Sequence, residues 1–277
     1  MRQVSTVAEL REAVADLVRS VGLVPTMGAL HKGHLSLVRQ AREDNASVIA
    51  TIFVNPAQFG PAEDLARYPR PLERDLELLT DEGVDLVFTP EVGEMYGAGF
   101  ATAVHVDGPA LGLESDERPG HFDGVATVVA KLLVQSGADV AYFGRKDAQQ
   151  AAVIRRLVRD LDIPVRVAVL PTIREHDGLA VSSRNAYLTP DERVAAPALF
   201  LALSAMRDRF HSGVQDAREL EAACRALLAR EPLITSVDYV ALVDPNSFDA
   251  WPGRGACLLV AAVRMGGVRL IDNVVLD

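Results

Sequence analysis

A chain of 277 residues, 49% hydrophobic and 24% charged, can bury a full core and has the composition of an ordinary globular enzyme. Its formal net charge of −10 excludes a general nucleic-acid surface, which needs a basic face, but is compatible with a small anionic substrate held in a locally basic site. No apolar run approaches a membrane span, residues 1–20 mix acids and bases unlike a secretion signal, and Cys224 and Cys257 lie far apart in apolar surroundings, so the expectation is a cytoplasmic protein with buried free thiols.

Val7, Leu10, Val14, Leu17 and Val18 recur at helical spacing, with Thr6 as N-cap and Glu9 as its capping-box partner, which predicts a helix over 7–18. Val21 to Val24 reads as a short apolar strand. It runs into Pro25-Thr26-Met27-Gly28-Ala29-Leu30-His31-Lys32-Gly33-His34, after which Leu35, Leu37, Val38 and Ala41 open a helix-like spacing. The β-branched run Val48 to Val54 fits a buried strand ending in Asn55-Pro56-Ala57-Gln58-Phe59-Gly60-Pro61, which places Asn55 and Gln58 at a strand's carboxyl edge. A helix is predicted over 73–82, a strand over 85–89, strand or edge structure over 100–106, a polar loop over 114–123 and a helix over 125–134. Ala141 to Phe143 reads as strand, 144–149 as a turn, 151–161 as helix and 165–170 as the last strand of the series.

This alternation predicts an α/β fold, a Rossmann-like doubly wound parallel sheet whose ligand-bearing turns lie beyond the carboxyl ends of its strands. From Arg174 the texture changes to a polar loop containing Ser182-Ser183-Arg184-Asn185, helices over 191–211 and 217–230, and strands over 236–243, 257–263 and 268–275, with Gly266-Gly267 as a hairpin turn. The expected organisation is a nucleotide-binding domain over 1–173 and a smaller α+β C-terminal lid domain over 174–277.

The turns carry the chemistry. A strand-to-helix turn bearing Gly28 and Gly33 offers backbone N–H groups at the positive end of a helix dipole, and His31 and His34 can donate hydrogen bonds to phosphate oxygens as charge develops. The stretch reads as a cradle for a nucleoside triphosphate. Asn55 and Gln58 bring amides suited to a small polar substrate. In Gly144-Arg145-Lys146-Asp147, Lys146 is a point charge for phosphate, and Gln150 lies one helical turn further in. Ser182, Ser183 and Arg184 form a loop able to supply hydroxyls and a guanidinium to a triphosphate. Arg118 and His121 are further cationic candidates. No DxD pair, HExxH or Walker motif marks a metal site, so a metal is expected to arrive with the nucleotide.

Pro25 to His34 (PTMGALHKGH), Phe53 to Gly60 (FVNPAQFG), Tyr68-Pro69-Arg70, Arg118 to Phe122 (RPGHF), Gly144 to Gln150 (GRKDAQQ), Ser182 to Asn185 (SSRN) and Leu270-Ile271-Asp272-Asn273 together resemble the pantoate–β-alanine ligase (pantothenate synthetase) family. That family belongs to the nucleotidyltransferase superfamily bearing a HxGH motif. The resemblance implies ATP-dependent joining of pantoate to β-alanine through pantoyl adenylate, with release of AMP and pyrophosphate, Mg²⁺ delivered with ATP, and a homodimer.

Carried over motif by motif, the resemblance makes His34 the acid-type catalyst, with His31 beside it on the phosphates. It implies Met27, Gly28, Ala29, Leu30, His31, Lys32, Gly33 and His34 as the first wall of the ATP site. Gly144, Arg145, Lys146 and Asp147 would hold the adenosine part, with Lys146 on phosphate. Ile173, Val181, Ser182, Ser183 and Arg184 would complete the nucleotide site. Gln58 would contact both pantoate and β-alanine, and Gln150 pantoate. Arg145, Ala148 and Val181 depart from the residues usual at those positions.

Three other readings use such a turn. A nucleotidylyltransferase acting on a phosphorylated acceptor would call for more cations where Asn55, Gln58 and Gln150 stand. A non-catalytic nucleotide-binding protein would not need His34, Lys146 and Arg184 together. An aminoacyl-tRNA synthetase fragment would need an RNA surface that this acidic chain lacks.

Overall fold

The computed structural model of the protein describes residues 1–61, 63 and 65–276, in two compact units: 1–144 with 153–170, and 145–152 with 171–277. The first unit is built on an all-parallel sheet of β1 (Arg2–Val4), β2 (Val21–Thr26), β3 (Ser47–Ile52), β4 (Leu86–Phe88), β5 (Val140–Gly144) and β6 (Arg166–Leu170), in the order β1-β4-β3-β2-β5-β6. Helices α1 (Val7–Ala15), α2 (Lys32–Asp44), α3 (Leu72–Asp81), α4 (Val92–Met95), α5 (Glu114–Glu117), α6 (His121–Ser136) and α7 (Ala148–Asp160) connect the strands. This is the doubly wound arrangement that the alternation of elements predicts.

Both sheet faces are covered, and successive residues of each strand feed opposite cores, as the two-residue side-chain period requires. Ile49, Leu86, Phe88, Ala141 and Phe143 join one core with Leu10 and Ala13 of α1, Val125, Val129 and Leu132 of α6, and Ile154 and Leu157 of α7. Val48, Ala50, Val87, Val140 and Tyr142 join the other with Leu37, Val38 and Ala41 of α2 and Leu79 of α3. The strand order reverses between β2 and β5, so a crevice opens beyond their carboxyl ends at Thr26 and Gly144.

The second unit contains α8 (Pro190–Ala195), α9 (Ala198–His211), α10 (Ala217–Leu228) and an antiparallel sheet of β7 (Ile234–Val243), β8 (Cys257–Met265) and β9 (Val268–Leu276), with Gly266-Gly267 turning between the last two. Leu203, Met206, Leu220, Leu228, Leu259 and Val263 lie in its core. Cys224 and Cys257 are free, buried thiols, and burial pushes the Cys224 thiol up to about 12.

The capping box at Thr6 and Glu9 is formed as predicted. Four local expectations change. Residues 2–4 form an edge strand that the pattern did not announce. The segment 100–106 is not a strand: Thr127 Oγ1 takes the Val104 N–H at 2.9 Å in place of a strand neighbour. The polar stretch 114–123 is not wholly loop, because Glu114–Glu117 makes a helical turn and α6 already begins at His121. The expected helix 191–211 is two helices, broken at Ala196-Pro197, where proline's missing N–H and ring favour a new helix start.

Candidate active site

In the first unit, β2 delivers the chain into Met27 and Gly28. Gly28 has φ +79°, and a Cβ there would lie 2.9 Å from Asp75 Oδ2, so the position needs glycine on two counts. Ala29 follows at φ +50°. The N–H groups of Ala29 and Leu30 then donate to Asp75 Oδ2 and Oδ1, at 2.7 and 2.8 Å. The sequence suggests a turn with open donors; at these two residues the donors are already used. Asp75 lies on α3, is 1% exposed, and burial raises its carboxyl above the ordinary range while the two N–H bonds oppose that shift.

His31 stands at the N-cap of α2 without a side-chain capping bond, and its ring stacks on that of His34, centroids 4.0 Å apart and planes at 17°. Gly33 lies under this pair, where a Cβ would be 3.0 Å from the His31 ring. Lys32, between the two histidines, is exposed. The turn therefore projects both imidazoles together from the positive end of a 13-residue helix.

The loop after β3 brings Gln58 to the same turn. Gln58 Nε2 reaches Met27 Sδ at 3.1 Å, and Oε1 accepts from Asn55 Nδ2 at 3.0 Å. Asn55, 1% exposed, also donates to Gly124 O (3.1 Å) and accepts from Tyr96 Oη (2.7 Å) and Ala57 N (3.2 Å). Its partner Gly124 must be glycine, since a Cβ there would sit 2.2 Å from Ala57 O.

Arg118 and His121 support this loop from behind. His121 Nδ1 lies 2.8 Å from Gln58 O, and Arg118 lies 3.0 Å from His121 Nε2 and 3.3 Å from Gln58 O. A carbonyl only accepts and a guanidinium only donates, so a neutral imidazole protonated on Nδ1 satisfies both. Burial, reinforced by the Arg118 charge, pushes His121 down to about 4. The sequence suggests a second cation at His121; the structure makes it a neutral strut. Arg118 is ion-paired to Glu63 at 2.6 Å, and although burial alone would raise Glu63, the guanidinium leaves it below the usual carboxylate range.

The second unit holds the remaining candidates on its own framework. Arg145, Lys146 and Asp147 form a short 3-10 turn before α7, and Lys146 Nζ lies 3.4 Å from Asp147 Oδ1. Asn273 of β9 donates to the carbonyls of Arg145 (2.9 Å) and Lys146 (3.2 Å). Beside it Asp272, side chain 2% exposed, takes two bonds from Arg174 at 2.5 and 3.0 Å. The same guanidinium lies 3.9 Å over the Phe200 ring. Arg174 and Ala180 bridge antiparallel, and Val181 N–H donates to Ile173 O at 3.0 Å, so the expected neighbours Ile173 and Val181 are side by side. Ser182 accepts from Arg184 N at 3.3 Å and opens a 3-10 turn over Ser183–Tyr187. Gln150 lies in the first turns of α7, partly buried.

Sequence reasoning singled out neither Asp75, Tyr96 nor Glu63. Each acts through a partner more than 40 residues away, and none stands in a local pattern that would mark it. Among the described residues no group of three His, Cys, Asp or Glu side chains is arranged to hold a metal ion, and no helix is long and apolar enough to cross a membrane.

Comparison with known proteins gives a consistent result. The family model described as pantoate-beta-alanine ligase matches residues 2–275. The chain is 55% identical over 278 residues to the pantothenate synthetase of Roseiflexus sp. (strain RS-1), spanning 100% of both chains. Its fold is similar to the crystal structure of pantothenate synthetase from Thermus thermophilus, with a TM-score of 0.93, 52% identity and 99% of each chain covered. It is also similar to a pantoate-beta-alanine ligase from Francisella tularensis, complexed with beta-gamma ATP and beta-alanine, at a TM-score of 0.79 and 31% identity over 99% of this chain and 97% of that one.

Proposed function

This chain belongs to the pantoate-beta-alanine ligase family, and from that premise we propose how its own residues carry the reaction. The activity is ATP-dependent condensation of pantoate with β-alanine to pantothenate, an AMP-forming carbon–nitrogen ligation. The proposed route has two steps. The pantoate carboxylate attacks the α-phosphorus and displaces pyrophosphate, giving pantoyl adenylate. The β-alanine amine then attacks the acyl carbon and displaces AMP.

The first step is mainly a matter of in-line geometry and of stabilising charge on phosphate. His34 and His31 donate to phosphate oxygens as negative charge builds, with Met27 to His34 as the wall that carries them. Lys146 supplies a point charge to phosphate, Gly144 to Asp147 hold the adenosine part, and Ile173, Val181, Ser182, Ser183 and Arg184 complete the nucleotide contacts. Gln58 reads pantoate and β-alanine, and Gln150 pantoate. Asn55, Arg118 and His121 act by holding Gln58.

Mg²⁺ is proposed to come with ATP, because that ion is held largely by phosphate oxygens and water and asks for few protein donors. A cytoplasmic homodimer is also expected from the family, and sedimentation and cell fractionation measure both points.

The observation that carries this reading is the Gln58–Met27 contact, 3.1 Å, which joins the amide-bearing loop to the turn of stacked histidines. The test is an assay with ATP, pantoate and β-alanine together: stoichiometric AMP, pyrophosphate and pantothenate are expected. Pyrophosphate–ATP exchange that requires pantoate but not β-alanine identifies the adenylate route. Turnover on a phosphorylated acceptor instead of pantoate would overturn the assignment.

A further inference from the structure

The chain turns at Gly28 and Ala29, with φ +79° and +50°, and the N–H groups of Ala29 and Leu30 converge on one carboxylate, so the turn makes an anion-binding concavity. In nucleotide enzymes such a concavity commonly receives phosphate. Here it is filled from within, since each oxygen of Asp75 takes one of the two N–H groups at 2.7 and 2.8 Å. The contact is closely fitted. A Cβ on Gly28 would meet Asp75 Oδ2 at 2.9 Å and Ile52 Cγ2 at 3.0 Å. Thr26 Oγ1 ties Gly28 to β3 by accepting from Gly28 N at 3.1 Å and donating to Thr51 O at 2.6 Å.

We propose that Asp75 is a positioning residue for adenylate formation, an internal anion that occupies the Gly28–Leu30 concavity and thereby fixes the direction in which His31 and His34 leave the turn. The proposal rests on the reading of that turn as the phosphate-facing wall. It adds a division of labour within it: the amides of Ala29 and Leu30 serve the protein, and the substrate phosphates are left to side chains and to the first turn of α2. Positive φ at Ala29 is unfavourable for a residue with a Cβ, so without the carboxylate the turn would relax toward φ < 0 and carry the two imidazoles away from their stacked positions.

Amide hydrogen exchange and kinetics test this. In the wild-type enzyme, the Ala29 and Leu30 amides should be protected at least a hundredfold over an unstructured peptide, equally with and without ATP. Rapid exchange of both in the free enzyme, or protection that appears only with ATP, overturns the proposal. Asp75→Asn keeps the volume but offers one acceptor instead of two. Its kcat for AMP formation, counted per folded enzyme from the native fraction in urea unfolding, should fall ten- to a hundredfold while the KM for β-alanine stays within twofold; the count matters because loss of folded enzyme alone lowers the apparent kcat and leaves every KM unchanged. Should Asp75→Asn not fold, Asp75→Glu retains the charge but displaces both oxygens and should show the same fall; a wild-type kcat in the variant that folds overturns the proposal. His34→Ala is measured alongside. If it keeps adenylation, the reading of the turn itself is wrong. If it loses adenylation while the Asp75 variant keeps its kcat, only the role of Asp75 fails.

Discussion

Asn55 donates its side-chain amide to Gln58 Oε1 across 3.0 Å, and this bond fixes which end of Gln58 faces Met27. The orientation is forced by groups with a single role. Ala57 N–H can only donate, so the Asn55 atom it meets at 3.2 Å is the oxygen; Gly124 O can only accept, so the atom it meets at 3.1 Å is the nitrogen. Gln58 therefore presents its NH₂ end at the histidine-bearing turn. A donor there suits carboxylates, which both pantoate and β-alanine carry.

Asn55→Asp tests that relay without changing shape. The introduced carboxylate has no hydrogen to give Gln58 Oε1 or Gly124 O, and each buried group left unpaired costs about 1–3 kcal/mol. Gln58 should then turn its own NH₂ toward that carboxylate and its oxygen toward the substrates, raising KM for pantoate and β-alanine by about tenfold or more. Tyr96→Phe removes one of two donors to Asn55 Oδ1 and should have a smaller effect in the same direction. Steady-state KM values decide; unchanged values for Asn55→Asp would show that Gln58 does not read the acids through its nitrogen.

His34→Ala and Lys146→Ala should lose pantoate-dependent pyrophosphate–ATP exchange by two or more orders of magnitude, about the loss that follows removal of a donor aimed at developing charge. Both residues are partly exposed, so thermal unfolding should be little changed. Near-normal exchange in either variant removes that residue from the catalytic set.

Much of this was legible in the sequence, and the part that was not has a physical reason. Thr6 and Glu9 cap α1 through bonds three residues apart, and the β-branched run Val48 to Val54 fits a strand covered on both faces, which the structure forms over Ser47–Ile52. Asp75 is different. Within Leu72–Asp81 it reads as one acid among several on an amphipathic helix, and its role depends on amides 45 and 46 residues away. The three-residue strand Arg2–Val4 exists because β4 offers it an edge, a tertiary fact. The break at Pro197 is legible, since a proline inside a helical pattern ends it, although the alanines and leucines that flank it are strong helix formers.

His121 sets an acid limb on stability. Buried at 7% exposure, it is held neutral down to about 4, whereas in an unfolded chain it takes a proton near its ordinary value of 6.5. Between those values the unfolded state binds the extra proton, so stability falls as pH is lowered through that window and levels off below it. The slope is about 1.4 kcal/mol per pH unit and the whole loss about 3 kcal/mol. Urea titrations at pH 7, 5.5 and 4.5 should show this slope in the wild type and its reduction by about one proton in His121→Gln, whose amide can still donate to Gln58 O. Equal slopes in the two proteins would mean that His121 titrates normally.

The Arg174–Asp272 pair should be expensive to break from one side. Asp272 has a side-chain exposure of 2%, and burial raises its carboxyl above the usual range against the pull of Arg174. Arg174→Ala would leave that group without its cation, at about 3–5 kcal/mol, a cost measurable as a lowered urea midpoint. It also removes the cation stacked on Phe200. A variant within about 1 kcal/mol of wild type would mean that solvent already reaches Asp272.

Asn273, next to that pair, separates holding Lys146 from supplying its charge. Its Nδ2 bridges the carbonyls of Arg145 and Lys146, two acceptors at the turn that aims the lysine. Asn273→Ala leaves the ammonium in place but frees the backbone beneath it, so the bound nucleotide must re-order the turn at each encounter. That cost falls on binding: KM for ATP should rise about fivefold to thirtyfold, the size expected for one or two hydrogen bonds of about 1 kcal/mol each, with kcat reduced less than threefold. Lys146→Ala should show the opposite split, with kcat falling far more than KM rises. Limited proteolysis adds a second readout, because ATP is expected to protect the Ser182–Arg184 loop in the wild type and to do so in Asn273→Ala only at raised concentration. If Asn273→Ala lowers kcat as deeply as Lys146→Ala with KM unchanged, the asparagine acts on the chemical step itself and not on the turn.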